Sequence, residues 1–367
     1  MYSALLLLVA ISLAIALIGT AAMIRLAPKW GLVAHPGERR IHVKPTPMGG
    51  GIAIFLGIWL PILAGVVLAL YLDASGRTLA FWRDLNPHLS GVAGLAPRLG
   101  AIFAGAVVIF LLGLADDLWR LSPWLRLAVE ALVALGLVYF GIKVSLFTDS
   151  RIICAAVTVL WIVGLINAFN MLDNMDGLSA GVAAIIALFF CIVAVQTGHY
   201  FIAAFLCCVI GSLLGFLLFN FPPAGIFMGD CGSTLIGYML SVMTVEFTFF
   251  QPERWAFPVV LPLMVFGVPL FDMITVVWIR LRAGRSPFQG DTNHFSHRLL
   301  ALGMTHRQAA LTIYLVTATV ALGATVLYYA TPAAVLVIFA QTVAIFAIIG
   351  ILERAARPDP ARKSEPK

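Results

Sequence analysis

The chain has 367 residues, 62% of them hydrophobic and only 11% charged, with a mean hydropathy of +1.02. That composition excludes a soluble globule, whose core would not need so much apolar surface, and marks an integral membrane protein. The net charge of +6 would suggest nucleic acid in a soluble protein, but here it reads as membrane orientation, with no nucleic-acid partner.

Apolar runs fall at 3–24, 49–72, 99–115, 125–142, 152–169, 178–196, 200–219, 233–250, 256–279, 309–329 and 332–351. About 20 helical residues cross the hydrocarbon core. The runs therefore predict an all-α polytopic membrane protein of about eleven transmembrane helices. Residues 1–353 form one polytopic domain, and 354–367 a disordered Pro- and charge-rich tail. The first run does not read as a signal peptide, because its positive charges follow it and no clear cleavage site is present. The five cysteines are odd in number and mostly intramembrane, with no metal-ligand spacing, so no disulfide framework is expected.

Seventeen of the 23 basic residues fall in or at the edge of alternate loops and in the C-terminal tail: loops 25–48, 116–124 (with Arg126 just past it), 170–177, 220–232 and 280–308, and the tail from Arg354 onward. That asymmetry predicts the N-terminus outside and the C-terminus in the cytoplasm. It also gathers every motif on the cytoplasmic face.

In chain order, loop 25–48 carries Arg40, His42 and Lys44, then Pro-Thr-Pro-Met-Gly-Gly-Gly. Basic residues there often only hold lipid headgroups. The Pro and Gly residues that follow stiffen and then thin the backbone beside them. Asp116 and Asp117 end an apolar run with no lysine partner, where adjacent carboxylates repel unless a cation or proton is shared. A solvated helix cap is the alternative to a metal or acid–base role. Glu130, four residues after Arg126, reads as its ion-pair partner. Asn170, Asp173 and Asp176 recur every three residues, so one helical face presents an amide and two carboxylates before Gly177 permits a turn. A calcium loop would need a closing Glu that is missing, and recognition of a nucleobase or sugar fits better.

Asn220 to Ser233 reads Asn-Phe-Pro-Pro-Ala-Gly-Ile-Phe-Met-Gly-Asp-Cys-Gly-Ser. Two prolines stop the preceding helix, and Asp230 stands between Gly229 and Gly232 at the next helix start. Free N–H groups there favour phosphate, but a lone acid repels it unless a divalent cation intervenes. Asp272 follows Pro269 within an apolar run and is either a site acid or the partner of a loop arginine. His294, His297 and Arg298 suit a diphosphate clamp better than a zinc site, for which a third ligand is missing.

Together these residues resemble the polyprenyl-phosphate N-acetylhexosamine-1-phosphate transferase family. The resemblance rests on Asp116-Asp117, on Asn-x-x-Asn-x-x-Asp-x-x-Asp-Gly at 167–177, and on Asn220…Phe227-Met-Gly-Asp230-x-Gly-Ser233. It covers nearly the whole chain. The His294-x-x-His297-Arg298 ending and the cytoplasmic tail look like the GlcNAc-1-phosphate transferase branch rather than the related phospho-MurNAc-pentapeptide translocases. Members start lipid-linked cell-envelope glycans such as O-antigen, enterobacterial common antigen and teichoic acid. Two positions depart from the family pattern. Asn174 stands in a usual Asp-Gly-x-Asp-Gly, and Ser296 in a frequent His-x-His-His.

The resemblance implies a bacterial inner-membrane enzyme with a cytoplasmic active site. A polyprenyl (undecaprenyl) phosphate would attack the β-phosphate of a UDP-N-acetylhexosamine, most simply UDP-GlcNAc, and release UMP. It assigns Mg²⁺, for which Mn²⁺ can substitute, to Asp230 and Asp117, with Asp116 and Asp117 as ligands or as the base. Asn170, Asp173, Asp176, Asn220 and Phe227 would bind the donor, Phe227 by stacking on uracil. His294, His297 and Arg298 would hold diphosphate and sugar, and Arg40, His42 and Lys44 the lipid phosphate. Direct attack and a two-step route through an aspartyl-phosphate are both open, and a homodimer is compatible with the reading. The rivals are phospho-MurNAc-pentapeptide transfer by the same chemistry and, from another class, an ion-coupled transporter. A transporter should carry its polar groups near the midplane.

Overall fold

The computed structural model describes residues 1–34, 45–79, 82–144, 150–247, 257–327 and 330–355. These residues fold into helices α1 (Tyr2–Leu26), α2 (Gly50–Ser75), α3 (Asn86–Trp119), α4 (Pro123–Tyr139), α5 (Arg151–Leu172), α6 (Leu178–Gln196) and α7 (Tyr200–Asn220). The second part of the chain forms α8 (Asp230–Phe247), α9 (Phe257–Val265), α10 (Gly267–Arg282), α11 (Phe295–Ala301), α12 (His306–Val326) and α13 (Pro332–Ala355). Two short antiparallel strands, β1 (Val33–Ala34) and β2 (Thr46–Pro47), pair Val33 with Pro47 and Ala34 with Thr46.

Each apolar run of the sequence carries a helix, and the run at 256–279 carries two, α9 and α10. Helices α1, α2, α3, α5, α6, α7, α12 and α13 are long and apolar enough to cross a membrane. Among the described residues these eight satisfy that test, rather than the expected eleven, and the exceptions have physical reasons. Helix α4 is only 17 residues long and carries Arg126 and Glu130. Pro262 and Pro269 remove backbone donors around Phe266, which divides α9 from α10. Helix α8 is buried along nearly all its length and packs on α3 and α5. Facing protein rather than lipid, it can carry Ser233, Thr234, Ser241 and Thr244 without exposing a hydroxyl to hydrocarbon.

Close approach of α3 to α8 depends on Gly113. A Cβ there would stand 2.6 Å from the Asp230 carbonyl oxygen and from Cys231 Cα. Trp59 meets Phe103 and Phe205 edge-on between α2, α3 and α7, while Phe266 meets Trp161 and Phe169 the same way. Helix α13 reaches Ala355 and so takes in the first two residues of the expected tail, and 356–367 lie outside the described residues.

Candidate active site

The sequence segments that carry the motifs meet around one cavity of about 1150 Å³. Its wall begins with Ala34 and Thr46 of the strand pair. The α7–α8 loop then joins the same backbone layer: Phe227 N donates to Pro47 O at 2.9 Å, and Gly50 N to Phe227 O at 3.0 Å. Arg40, His42 and Lys44 lie outside the described residues, between the two strands.

Helix α8 starts at Asp230 because Asp117 caps it. Asp117 Oδ1 accepts the Asp230 N–H at 2.8 Å, and Oδ2 accepts the Cys231 N–H at 3.1 Å. This is the N-cap arrangement, supplied from another helix instead of the preceding residue. Gly229, at φ 76°, makes the tight entry, and a Cβ there would stand 2.6 Å from Asp117 Oδ2.

Asp116 and Asp230 face a shared cation. Arg126 Nη1 donates to Asp116 Oδ2 and lies 3.4 Å from Asp230 Oδ2, while the Leu121 N–H reaches Asp116 Oδ1 at 2.6 Å. The Asp230 side chain retains 37% of its exposure, and its Oδ1 accepts from Asn170 Nδ2 at 2.9 Å. Among the described residues the close ion pairs of Arg126 are with Asp116 and Asp230. The expected Glu130 pairing gives way to a hydrogen bond from Asn167 Nδ2 at 2.5 Å.

Asp173 and Asp176 line the same cavity. Burial, with the charges of Asp117 and Asp176, raises the Asp173 carboxyl to about 7. Asp176 Oδ2 accepts the Ala224 N–H at 3.0 Å, and Asn220 bridges Gly177 N and Ile226 O at 2.9 and 2.7 Å. Asn220 is thus a brace between loops as well as a wall residue. Arg307 adds a second brace, donating from Nε to Pro222 O at 2.8 Å.

The segment from 285 to 301 divides. His297 lines the cavity, and burial together with the neighbouring His294 lowers its imidazole below the usual range. His294 is turned to Asp272, with Nδ1 and Oδ2 2.8 Å apart, and Asp272 Oδ1 accepts the Phe295 N–H at 2.6 Å. Of the two readings of Asp272, the partner role is the one observed, with a histidine in place of an arginine. Arg298 is buried away from the cavity lining, donating from Nε to Glu353 at 2.9 Å and also to Asn293 O. It ties α11 to the end of α13 and is not among the residues that line the cavity. Asp291 also lines the cavity. Burial would raise its carboxyl, but hydrogen bonds from Arg280 and Asn293 hold it down at about 2.

Asp116, Asp117, Asp173, Asp176, Asn220, Phe227, Asp230 and His297 therefore share one chamber, with Asn170 touching Asp230 from α5. Arg126, Arg307, Asn174 and Asp291 belong to the same wall and were not singled out as site residues from sequence. Arg126 stands ten residues from Asp116 with no local signal beyond its charge, and the (i, i+4) spacing to Glu130 pointed elsewhere.

Residues 99–248 match the model of glycosyl transferase family 4. The chain is 33% identical over 363 residues to a probable undecaprenyl-phosphate N-acetylglucosaminyl 1-phosphate transferase of Bacillus subtilis strain 168, covering 95% of this chain and 93% of that protein. It is 34% identical over 330 residues to a decaprenyl-phosphate N-acetylglucosaminephosphotransferase of Mycobacterium tuberculosis H37Rv, covering 82% and 76%. An undecaprenyl-phosphate alpha-N-acetylglucosaminyl 1-phosphate transferase of Escherichia coli K12 is 29% identical over 311 residues, covering 81% and 77%. With its motifs gathered in one chamber and its similarity running along nearly the whole chain, the protein belongs to the polyprenyl-phosphate N-acetylhexosamine-1-phosphate transferases of glycosyl transferase family 4.

Proposed function

We propose that this protein transfers GlcNAc-1-phosphate from UDP-GlcNAc to a polyprenyl phosphate at the cytoplasmic face of a bacterial inner membrane. The observation that carries the reading is the single chamber in which Asp116, Asp117, Asp173, Asp176 and Asp230 converge with Arg126, Arg307 and His297. In the reaction, an oxygen of the lipid phosphate bonds to the β-phosphorus of the donor. The bond from that phosphorus to the oxygen bridging the α-phosphate breaks, and UMP leaves.

Both reactants are anions, and the chamber adds carboxylates that Arg126 offsets only in part. Oxygen ligands of this kind suit Mg²⁺, which takes one or two carboxylates together with substrate phosphates and waters. Asp230 fits as its main holder, being partly open to the chamber, and Arg126 keeps Asp116 beside it. When bound, the ion would neutralise the phosphates and polarise the β-phosphoryl group.

The chain's own residues do the rest. Asp117 holds the α8 start through its two backbone contacts and so orients Asp230, while adding its charge beside the ion site. Arg126 keeps Asp116 and Asp230 together and offers a guanidinium to incoming phosphate. Phe227, Asp173 and Asp176 would receive the uridine, with Phe227 stacking on the base, and His297 would meet the diphosphate.

The same convergence supports the expected topology. Loops from the α1–α2, α3–α4, α5–α6, α7–α8 and α10–α12 connections all reach one chamber, and Glu353 brings the end of α13 to α11. Helices between consecutive site loops must then leave and return in pairs. With α9 and α10 counted as one crossing, that supports eleven spans, and the basic-residue asymmetry supports a cytoplasmic chamber. A transporter is disfavoured because these groups gather at one end of the bundle rather than its middle.

The test uses purified protein in detergent with polyprenyl phosphate, Mg²⁺ and a panel of UDP-sugars, reading UMP release. UDP-GlcNAc should give the fastest turnover, and EDTA should stop it. No UMP release from any UDP-sugar would refute the reading.

A further inference from the structure

Asn174 and Ser296, the two departures from the family pattern, lie 122 residues apart in the chain and touch in space. Ser296 Oγ donates to Asn174 Oδ1, and Asn174 Nδ2 donates to Met171 O at 2.8 Å, which fixes the amide's orientation. Ser296 is buried at 1% exposure, whereas Asn174 lines the chamber between Asp173 and Asp176. Ser296 is followed at once by His297, which also lines the chamber. The pair thus joins the α5–α6 loop to α11. Both partners are polar, one is fully buried, and each answers the other's hydrogen-bonding need. Losing either leaves an unmatched group.

We propose that the Asn174–Ser296 hydrogen bond is a clasp that determines donor specificity, fixing the spacing between the uridine-binding and diphosphate-sugar-binding halves of the chamber. The proposal rests on the UDP-sugar reading above, since it assigns one half to Asp173 and Asp176 and the other to His297. A ligand spanning both halves feels the spacing, and one confined to the uridine half does not. The clasp therefore favours an intact UDP-sugar over UMP and helps the product leave once the sugar phosphate has moved to the lipid. Asn174 and Ser296 act here as positioning residues.

The experiment is a double-mutant cycle on the full chain in detergent with Ser296→Ala, Asn174→Ala and both together, folding being followed by thermal unfolding. Measured are the KM for UDP-GlcNAc, the KM for polyprenyl phosphate, and the inhibition constant of UMP. One neutral hydrogen bond predicts a donor KM raised roughly twofold to tenfold in each single variant. The double variant should be little worse than either, while the UMP constant and the acceptor KM stay at wild-type values. A merely structural contact would weaken UMP and UDP-GlcNAc alike. That result, additive single effects, or an unchanged donor KM in folded single variants would each overturn the clasp. If wild type itself releases no UMP, the donor reading fails instead, and the two failures are distinguishable.

Discussion

Replacing Gly113 with alanine tests whether the α3–α8 contact sets the geometry of the chamber. The added Cβ would stand 2.6 Å from Asp230 O and Cys231 Cα and 2.7 Å from Asp230 C, all of them backbone. Ordinary contact begins near 3.4 Å, so the helices must part by 3.4 − 2.6 = 0.8 Å at the residue that carries the central carboxylate. Overpacking of this kind costs about 1–3 kcal/mol of stability. The larger effect is on rate, because a displacement near 1 Å at a reacting group costs on the order of 100-fold. Gly136→Ala and Gly164→Ala are the controls, since a Cβ at either meets nothing within 4 Å. UMP release and thermal unfolding in detergent are measured side by side. Gly113→Ala should stay folded with turnover down by about two orders of magnitude, and both controls should match wild type within about twofold. Wild-type turnover in Gly113→Ala would refute the claim that the Asp117–Asp230 contact needs this close packing.

Asp230→Asn keeps the side chain's shape and removes its charge, so it should abolish UMP release at every Mg²⁺ concentration while leaving the unfolding temperature within a few degrees. Near-normal turnover at ordinary Mg²⁺ would remove Asp230 from the metal role. Phe227→Ala should raise the KM for UDP-GlcNAc roughly threefold to tenfold, as the loss of one stacking contact implies, with the acceptor KM unchanged. Equal effects on both substrates would count against stacking on uracil. Asp173 has a folded-state value of about 7, above an ordinary carboxyl. The native state thus binds the proton more tightly than the unfolded chain does. Its contribution to stability is present in acid and is lost as pH rises toward and through 7. Without divalent ions, Asp173→Asn should therefore unfold at a higher temperature than wild type at pH 8 and at a similar one at pH 4. A gain of the same size at both pH values would show that the carboxyl titrates normally.

Much of this site was legible because carboxylates and amides are expensive among apolar runs. Asp116, Asp117, Asp173, Asp176 and Asp230 stood out against their surroundings, and the order of the loops placed them on one face. Spacing could not say which oxygen faces what. Asp117 reads from the sequence as a ligand or a base, and spacing gave no sign that its two oxygens also cap a helix that begins 113 residues later. Arg126 looked like a partner of Glu130 because four residues on a helix bring side chains together. The stronger demand came from Asp116 and Asp230, which only tertiary contact brings within reach. Arg298 looked like a phosphate clamp by its neighbours, and its acidic partner lies 55 residues downstream on α13. The same limit explains α8. Its hydroxyls weaken the apolar signal of a span, and burial inside the bundle, invisible in one dimension, makes them tolerable.

The account stands most directly on which atoms move from donor to lipid. UDP-GlcNAc labelled with ³²P at the β-phosphate, given to the purified protein with undecaprenyl phosphate and Mg²⁺, separates the possible transfers in one measurement. The label should pass into the organic-soluble lipid fraction in step with the appearance of unlabelled UMP. Label retained in UDP while the sugar enters the lipid, or label that stays in intact donor, would contradict sugar-1-phosphate transfer.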